Sequence, residues 1–181
     1  MAEVSLVENM AEEARDSFPI YSSDTSSIIN GYKGNKENKG KTVLEYLSNT
    51  GRLKITPAVL TELEIGGDEV FHWAQSKKHL IIQELTIRSA RYIDHLLEEY
   101  AEPFTDNENL GLHYCGLIKS ETASDADPEV IALAKENDYE VLADEKSGIK
   151  GACKLEGIPC ISMNKLIDKE YLRADKQLPL L

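Results

Sequence analysis

The sequence predicts an α/β fold in which a central parallel sheet is flanked by helices. Beyond residue 128, a helical segment is followed by the apolar run "YEVLA", the acidic turn "DEKSG", a second helix "IKGACKLEG" and the run "IPCIS". Short strands that alternate with helices are joined by right-handed crossovers and form parallel sheets. With 181 residues and 41% hydrophobic content, the chain is also large enough for one domain with a continuous core.

The first half of the chain carries weaker signals of the same two kinds of element. The run 20–23 is typical of a strand, and the small hydroxyl residues after Asp24 predict a polar loop. "KTVLEYLSNTGRL" predicts a helix that stops at Gly51 and leads into the short strand "RLKI". The pair Thr56 and Pro57 then matches the start of a helix that ends at a glycine pair.

The middle of the chain predicts further helices and one irregular segment. Asp68 is a cap for the helix "EVFHWAQSKK", and "IIQELTIRSARYIDHLLEEYAEPF" predicts one longer helix. Residues 103–122 lose periodicity and predict either a loop or an irregular excursion. Asp127 and Pro128 match the preferred N-cap and first position of the next helix. We therefore expect Asp127 to cap that helix, which leaves open whether its carboxylate also binds a metal.

The charge of the chain argues against a passive nucleic-acid binder but not against a nuclease. Asp and Glu number 32 against 20 Lys and Arg, and the net charge of -12 would repel a polyanion at long range. A metal-dependent nuclease instead uses carboxylates to bind the cations that meet the phosphate. The three cysteines lack CxxC spacing, which argues against a zinc site or a disulfide framework.

No apolar run approaches the length of a membrane span, and the first residues are acidic where a signal peptide would be basic. We therefore expect a cytoplasmic protein that does not enter a membrane. Residues 1–17 are expected to form an acidic extension, and residues 18–181 a single domain.

Five carboxylates fall where a parallel sheet gathers functional side chains, at the carboxyl ends of its strands. Asp24 follows the first strand, and Asp144 and Glu145 follow "YEVLA". Glu62 lies early in one helix, and Asp127 opens another. Each has an ordinary alternative role as a turn residue, a helix-surface residue or a cap. Together they are the hard oxygen ligands that select Mg²⁺ or Mn²⁺, which can activate water for attack on a phosphodiester.

Four segments, in order, resemble the motifs of PIN-domain nucleases, which include the VapC-like ribonuclease toxins of toxin–antitoxin pairs. They are "YSSDTSSIIN", "ITPAVLTELE", "DADPEVIALAKENDYEVLADE" and "GIPCISMNKLI", within residues 18–170. The match is nearest a subfamily with "DP" after the third acidic residue and a "GDEVFHWAQ"-type helix after the second. The resemblance implies a PIN-like domain whose three or four acidic residues bind Mg²⁺ or Mn²⁺ for RNA cleavage.

Carried over by position, the resemblance implies a role for each carboxylate. Asp24 is the first acidic residue, and Ser26 is the small polar residue two places on. Glu62 is the second acidic residue. Asp127 is the third, because the helix "IALA" follows it at the family's distance, whereas Asp125 falls outside that register.

The fourth acidic position is where this chain departs from the family. Glu145 stands where the family usually has Asp, with Asp144 beside it, and Ala143 replaces the usual Thr or Ser. The resemblance therefore leaves open whether Asp144 or Glu145 is the fourth ligand. The implied catalytic set is Asp24, Glu62, Asp127 and Glu145, and the implied metal ligands are these four with Asp144.

Two functions are consistent with these sequence features. The first is a metal-dependent endoribonuclease, in which charge suggests Lys33, Lys36 and Lys146 as phosphate contacts. Resemblance to VapC-like toxins further implies an RNA substrate, a homodimer and an inhibitory antitoxin protein. The alternative is a catalytically weak or inactive PIN-like module that binds RNA or a protein partner, because the altered fourth motif would tolerate loss of activity.

Overall fold

The computed structural model describes residues 18–34, 38–100, 126–144 and 148–178. These residues form four strands and nine helices. The strands are β1 (Tyr21–Ser23), β2 (Leu53–Lys54), β3 (Glu140–Leu142) and β4 (Cys160–Ile161). The helices are α1 (Thr25–Lys33), α2 (Lys39–Asn49), α3 (Pro57–Gly66), α4 (Glu69–Ser76), α5 (Lys78–Ile81), α6 (Ile87–Glu99), α7 (Ala126–Asn137), α8 (Gly148–Glu156) and α9 (Met163–Gln177).

The four strands form one parallel sheet in the order β2-β1-β3-β4. In register, Tyr21 pairs with Leu53 on one side and with Glu140 on the other. The strand β2 therefore lies on one side of β1, and β3 lies on the other side. The gap between β1 and β3 is thus the topological switch point, where ligands bind in open α/β sheets. This confirms the predicted α/β fold with a central parallel sheet flanked by helices.

The core lies between the sheet and its helices. Tyr21, Leu53, Val141 and Leu142 supply fully buried side chains from the strands. The helices add buried faces at helical spacing, for example Ile28 on α1, Val43, Leu44 and Leu47 on α2, and Val130, Ile131 and Ala134 on α7.

A pair of glycines allows α1 and α2 to approach closely. A Cβ atom at Gly40 would lie 2.2 Å from the carbonyl oxygen of Gly31, so only a residue without a side chain fits there. This crossing fixes the position of α1, and α1 begins at the predicted functional edge of the sheet.

Three local predictions are wrong. The segment after Asp24 is not a polar loop: it is helix α1, because Asp24 caps it and Ile28 buries its inner face. The long helix predicted from residue 81 begins only at Ile87, since Ile82 instead forms a parallel bridge with Ile55. Asp127 is not the N-cap of α7, which already begins at Ala126; the carboxylate lies in the first helical turn.

The start of α3 confirms its prediction. Thr56 is the N-cap, its side chain accepts a hydrogen bond from the Val59 N–H, and Pro57 occupies the first turn. The assignment of residues 1–17 to an acidic extension, the loop at 103–122 and the exact extent of the domain concern residues outside the described ones and stay predictions. Among the described residues, no helix is both long and apolar enough to cross a membrane.

Candidate active site

Asp24 lies at the centre of the candidate site, at the carboxyl end of β1. Its N–H donates to the carbonyl oxygen of Leu142 at 3.1 Å, which ties it to the end of the neighbouring strand β3. Its Oδ1 accepts from the Ser27 N–H at 2.8 Å and caps α1, while Oδ2 accepts from Ser26 Oγ at 2.8 Å. The side chain is therefore held in one orientation at the switch point of the sheet.

The carboxylate of Asp24 is in an unfavourable electrostatic environment. The residue is only 4% exposed, and this burial raises its pKa above the ordinary value for Asp. Hydrogen bonds from Ser27 and Ser26 work against the rise, and the nearby charge of Asp144 adds to it. Within the described part of the chain, no Lys or Arg forms a salt bridge with Asp24. A cation at this position would relieve a cost that the hydroxyl groups only reduce.

Glu62 joins Asp24 at this edge from the second turn of α3. One of its carboxylate oxygens, Oε2, accepts a hydrogen bond from the hydroxyl of Thr25, the residue directly after Asp24. The other, Oε1, lies 3.4 Å from the N–H of Ala126, the first residue of α7. Glu62 therefore bridges the N-termini of α1 and α7.

Asp127 enters the site through that same helix terminus. It follows Ala126, whose N–H contacts Glu62, and its side chain is half-buried in the first turn of α7. A carboxylate in the first turn of a helix is stabilised by the partial positive charge of the helix N-terminus. The structure thus brings Asp24, Glu62 and the backbone that carries Asp127 to one edge of the sheet.

Asp144 lies across the switch point from Asp24. It follows β3 by two residues, and its Oδ2 accepts a hydrogen bond from the Asn30 side chain on α1. Its charge is close enough to raise the pKa of Asp24. Glu145 lies outside the described residues, so which of the two is the fourth acidic residue stays open.

The predicted phosphate contacts are less well supported. Lys33, at the end of α1, forms a salt bridge with Asp68, the cap of α4. Its charge is therefore partly neutralised. Lys36 and Lys146 lie outside the described residues.

The donor set fits a hard divalent cation, although its members are not yet grouped around one point. Across residues 18–34, 38–100, 126–144 and 148–178, no three His, Cys, Asp or Glu side chains are close enough together to hold a metal ion. The carboxylates that surround the switch point are engaged in hydrogen bonds to hydroxyl, amide and backbone donors. Oxygen ligands of this kind suit Mg²⁺ or Mn²⁺, and the buried charge of Asp24 is the feature that a cation would stabilise.

Comparison with known proteins now places the chain in a family. A family model described as "Domain of unknown function (DUF4411)" matches residues 21–174, from β1 into α9. The chain belongs to the DUF4411 family. No curated protein matches the sequence of this DUF4411 chain.

One solved structure similar to the DUF4411 chain is a crystal structure of VapBC2 from Rickettsia felis bound to a DNA fragment from their promoter. The sequence identity is 18%, and the match covers 79% of this chain and 98% of that chain with a TM-score of 0.48. A likeness at this identity and TM-score does not assign an activity to the DUF4411 chain.

Sequence reasoning missed the residues of the DUF4411 site that orient its carboxylates. Thr25, Ser27 and Asn30 all lie on α1, in the segment predicted to be a loop. One local signal was available: Asp24 stands three residues before Ser27, the spacing at which a cap side chain meets a backbone N–H. The contacts of Thr25 with Glu62 and of Asn30 with Asp144 join residues 37 and 114 positions apart, and no local pattern reveals them.

Proposed function

We propose that this protein is a metal-dependent endoribonuclease with a PIN-like domain, which hydrolyses RNA phosphodiester bonds. The observation that carries the proposal is the buried carboxylate of Asp24 at the sheet switch point, which has no salt bridge to a described Lys or Arg. Three further acidic residues, Glu62, Asp127 and Asp144, lie at the same edge of the sheet. Burial of the Asp24 carboxylate is costly for the fold, and a cation bound at this edge would offset that cost. The order of the PIN-like sequence motifs supports the same assignment.

In this proposal Asp24, Glu62 and Asp127 hold Mg²⁺ or Mn²⁺, with Glu145 or Asp144 as the fourth acidic residue. The cation would supply a Lewis acid that activates water and offsets negative charge on the phosphoryl group. Three carboxylates with water completing the coordination are sufficient for one hard cation.

The residues of the chain have distinct roles around that cation. Ser26 and the Ser27 N–H hold the Asp24 carboxylate in a fixed orientation. The Thr25 hydroxyl holds Glu62 against the start of α7. These contacts fix the orientation of Asp24 and Glu62, but the carboxylates would still have to move closer together when a cation binds, because no three of those described are grouped closely enough to hold an ion.

Resemblance to the VapC-like toxins supports further parts of the proposal. The protein would act in the cytoplasm as the toxin of a toxin–antitoxin pair, as a homodimer that an antitoxin protein inhibits. The RNA substrate would meet the carboxylates through the cation, because the carboxylates alone would repel the phosphate.

A second candidate is an inactive PIN-like module that binds RNA or a protein partner. It is favoured by the spacing of the carboxylates, since no three of the described acidic side chains are grouped closely enough to hold an ion. Ala143, in place of the usual hydroxyl residue, points the same way. The two candidates differ in whether the protein cleaves RNA when Mn²⁺ is added.

The test is cleavage of a generic single-stranded RNA with and without Mn²⁺, followed by gel electrophoresis. We expect Mn²⁺-dependent cleavage that falls at least about a hundredfold in Asp24→Asn and Asp127→Asn, because a lost ligand weakens both metal binding and charge stabilisation. The matched control is Asp138→Asn, an exposed residue just after α7 with φ of 56°, a conformation that Asn also adopts. Undiminished cleavage in both site variants would exclude the proposed site, and no cleavage by the wild type would favour the inactive module.

A further inference from the structure

A second site lies between α6 and α7, away from the carboxylates. The two helices enclose a pocket of about 330 Å³. Its charged and aromatic lining residues are Arg88, Arg91, Tyr92, His95, Lys135 and Glu136. We call this the α6–α7 basic pocket. It is notable for its charge, because three Lys or Arg side chains and a His face one Glu in a chain whose net charge is -12.

The two arginines and His95 converge because of helix geometry. Arg88, Arg91 and His95 are spaced at i, i+3 and i+7 on α6, so they lie on one face of that helix. Lys135 faces them from α7. A basic stripe on one helix opposite a lysine on the next makes a positively charged groove rather than scattered surface charge.

The one acidic residue of the pocket is already hydrogen-bonded. Glu136 accepts from the Thr86 hydroxyl at 2.7 Å and from the Ser89 hydroxyl, both at the N-terminus of α6. Those hydroxyls lower the pKa of the Glu136 carboxyl. The charge of Arg88 also lowers the pKa of the Glu136 carboxyl, but these two side chains do not form a salt bridge in the described part of the chain.

Lys135 and His95 are also partly occupied by Glu156 on α8. Lys135 lies 4.0 Å from its carboxylate and donates to its carbonyl oxygen at 2.9 Å, and His95 lies 3.7 Å from its carboxylate. Arg88 and Arg91 differ from them. Both are exposed, and within the described part of the chain neither forms a salt bridge. These two guanidinium groups are therefore the binding groups of the pocket.

We propose that the α6–α7 basic pocket binds a phosphate of a single-stranded RNA whose scissile bond lies at the carboxylate site. This inference rests on the function proposed above and names how the substrate is held. Guanidinium groups present a planar fork of donors that matches phosphate oxygens in pairs. The Tyr92 and His95 rings, with centroids 5.7 Å apart beside the pocket, add an aromatic surface of the kind on which bases stack.

The spacing of the two sites fits one continuous strand. Asp127 and Lys135 are eight residues apart on α7, which corresponds to about 12 Å along the helix axis. At about 3.4 Å per nucleotide of a stacked strand, this spans three to four nucleotides. An acidic protein would satisfy the charge of the pocket equally well, but the link to a carboxylate of the cleavage site along the same helix favours the RNA strand.

The test compares two double variants of equal charge. Arg88→Gln with Arg91→Gln removes both guanidinium groups of the pocket. Lys165→Gln with Lys176→Gln is the control, because both lysines are exposed on α9 and do not line the pocket. Each is made in the Asp24→Asn background, so that RNA is bound without being cut, and binding of a labelled single-stranded RNA dodecamer is followed by fluorescence anisotropy at several salt concentrations.

We expect the arginine variant to bind about tenfold to a hundredfold more weakly, since charged hydrogen bonds to phosphate are lost. Its plot of log affinity against log salt should become shallower by about 0.7, the value for one phosphate contact removed from a single strand. The lysine control should change neither quantity. Unchanged affinity and slope in the arginine variant would overturn the inference, even if that variant bound an acidic peptide such as polyglutamate less tightly than the control.

A cleavage assay with Asp24 retained separates this inference from the function on which it rests. The arginine variant should raise KM for the dodecamer and leave kcat and the cleavage of a dinucleotide unchanged, because a dinucleotide is too short to reach the pocket. If the wild type cleaves RNA but the arginine variant has the same KM as the control, only the pocket inference fails. If the wild type does not cleave RNA and the arginine variant still binds it less tightly than the control, the nuclease function fails and the phosphate-binding role of the pocket stands.

Discussion

Two buried carboxylates in this protein have opposite electrostatic surroundings. Glu170 on α9 is fully buried, and Arg52 donates to both of its oxygens at 2.8 and 3.2 Å. Burial alone would raise the pKa of Glu170, but the hydrogen bonds and charge of Arg52, with the charges of Arg173 and Lys169, hold it below the ordinary value. Asp24 is almost as buried, yet among the described residues only hydroxyl and backbone N–H groups donate hydrogen bonds to its carboxylate, and its pKa is raised.

Under the proposed function, the difference separates a structural carboxylate from a functional one. The buried charge of Glu170 has its counter-charge within the protein, because Arg52 donates hydrogen bonds both to Glu170 and to the Pro19 carbonyl oxygen. Asp24 at the switch point forms no salt bridge with a described Lys or Arg, and its hydrogen bonds from Ser26 and Ser27 offset only part of the cost of burial. This is the arrangement expected of a site that receives its cation from solution.

The largest expected effect is the loss of the structural pair. Glu170→Gln leaves Arg52 buried without a counter-charge and should lower the free energy of unfolding by about 3–5 kcal/mol. The control is Lys33→Gln, which removes a partly exposed pair with Asp68 and should lower the free energy of unfolding far less, because exposed ion pairs contribute little. Urea denaturation measures both. Equal, small losses in the two variants would mean that the Arg52–Glu170 pair does not stabilise the fold.

The pH dependence of stability should differ in sign between the two carboxylates. Because the pKa of Glu170 is lowered in the folded state, its charge contributes stability above the unfolded pKa of about 4.3, and this contribution is lost as pH falls through the folded pKa. The difference in the free energy of unfolding between wild type and Glu170→Gln should therefore become smaller in acid. Because the pKa of Asp24 is raised in the folded state, the residue contributes stability below its unfolded pKa of about 3.9, and this contribution is lost as pH rises through the folded pKa. Asp24→Asn should therefore gain stability relative to wild type as pH rises. Urea denaturation of wild type, Glu170→Gln and Asp24→Asn at a series of pH values measures both differences in the free energy of unfolding. The comparison would be contradicted if both differences changed in the same direction with pH.

A smaller effect separates the cap role of Asp24 from its charge. Asn caps helices about as well as Asp, so Asp24→Asn should keep the bond to the Ser27 N–H and be at least as stable as wild type at neutral pH. Asp24→Ala loses the cap and should be about 1 kcal/mol less stable than Asp24→Asn. Both should lose RNA cleavage. A large loss of stability in Asp24→Asn would show that the charge itself supports the fold.

The smallest expected effect is at the residue that orients Glu62. Thr25→Val removes the hydroxyl that donates to Glu62 and should cost about 1 kcal/mol or less in stability, while reducing the Mn²⁺-dependent cleavage rate several-fold. Thr61→Val is the matched control, since Thr61 is exposed on the same helix as Glu62 and its hydroxyl contacts only the Pro57 carbonyl oxygen among the described residues. Equal cleavage rates for the two variants would remove Thr25 from the site.

The parts of the fold that depend on local pattern could be predicted from the sequence. Alternation of short apolar runs and helices predicted the parallel sheet, and the ends of those runs correctly placed Asp24 and Asp144 at strand ends. Helix α1 could not be recognised in this way. Its residues "TSSIIN" have modest helix propensity, and the helix is stabilised by the Asp24 cap and by burial of Ile28 against the core.

The parts that depend on distant contacts could not be predicted. Arg52 and Glu170 are 118 positions apart, and Ala126 and Glu62 are 64 positions apart. The α6–α7 basic pocket likewise appears only when Arg88 and Arg91 meet Lys135 across two helices. Such pairs are set by how the elements pack, and no spacing along the chain encodes them.

The most direct test of the proposed cation site is whether Mn²⁺ supplies the counter-charge that Asp24 lacks. Unfolding of wild type and Asp24→Asn should be measured by urea denaturation as Mn²⁺ is increased. Because a ligand that binds only the folded state stabilises it, we predict that wild type gains about 2.7 kcal/mol at a Mn²⁺ concentration of about a hundred times Kd and that Asp24→Asn gains little or nothing. Stabilisation that is absent in wild type, or equal in the two proteins, would contradict a cation site centred on Asp24.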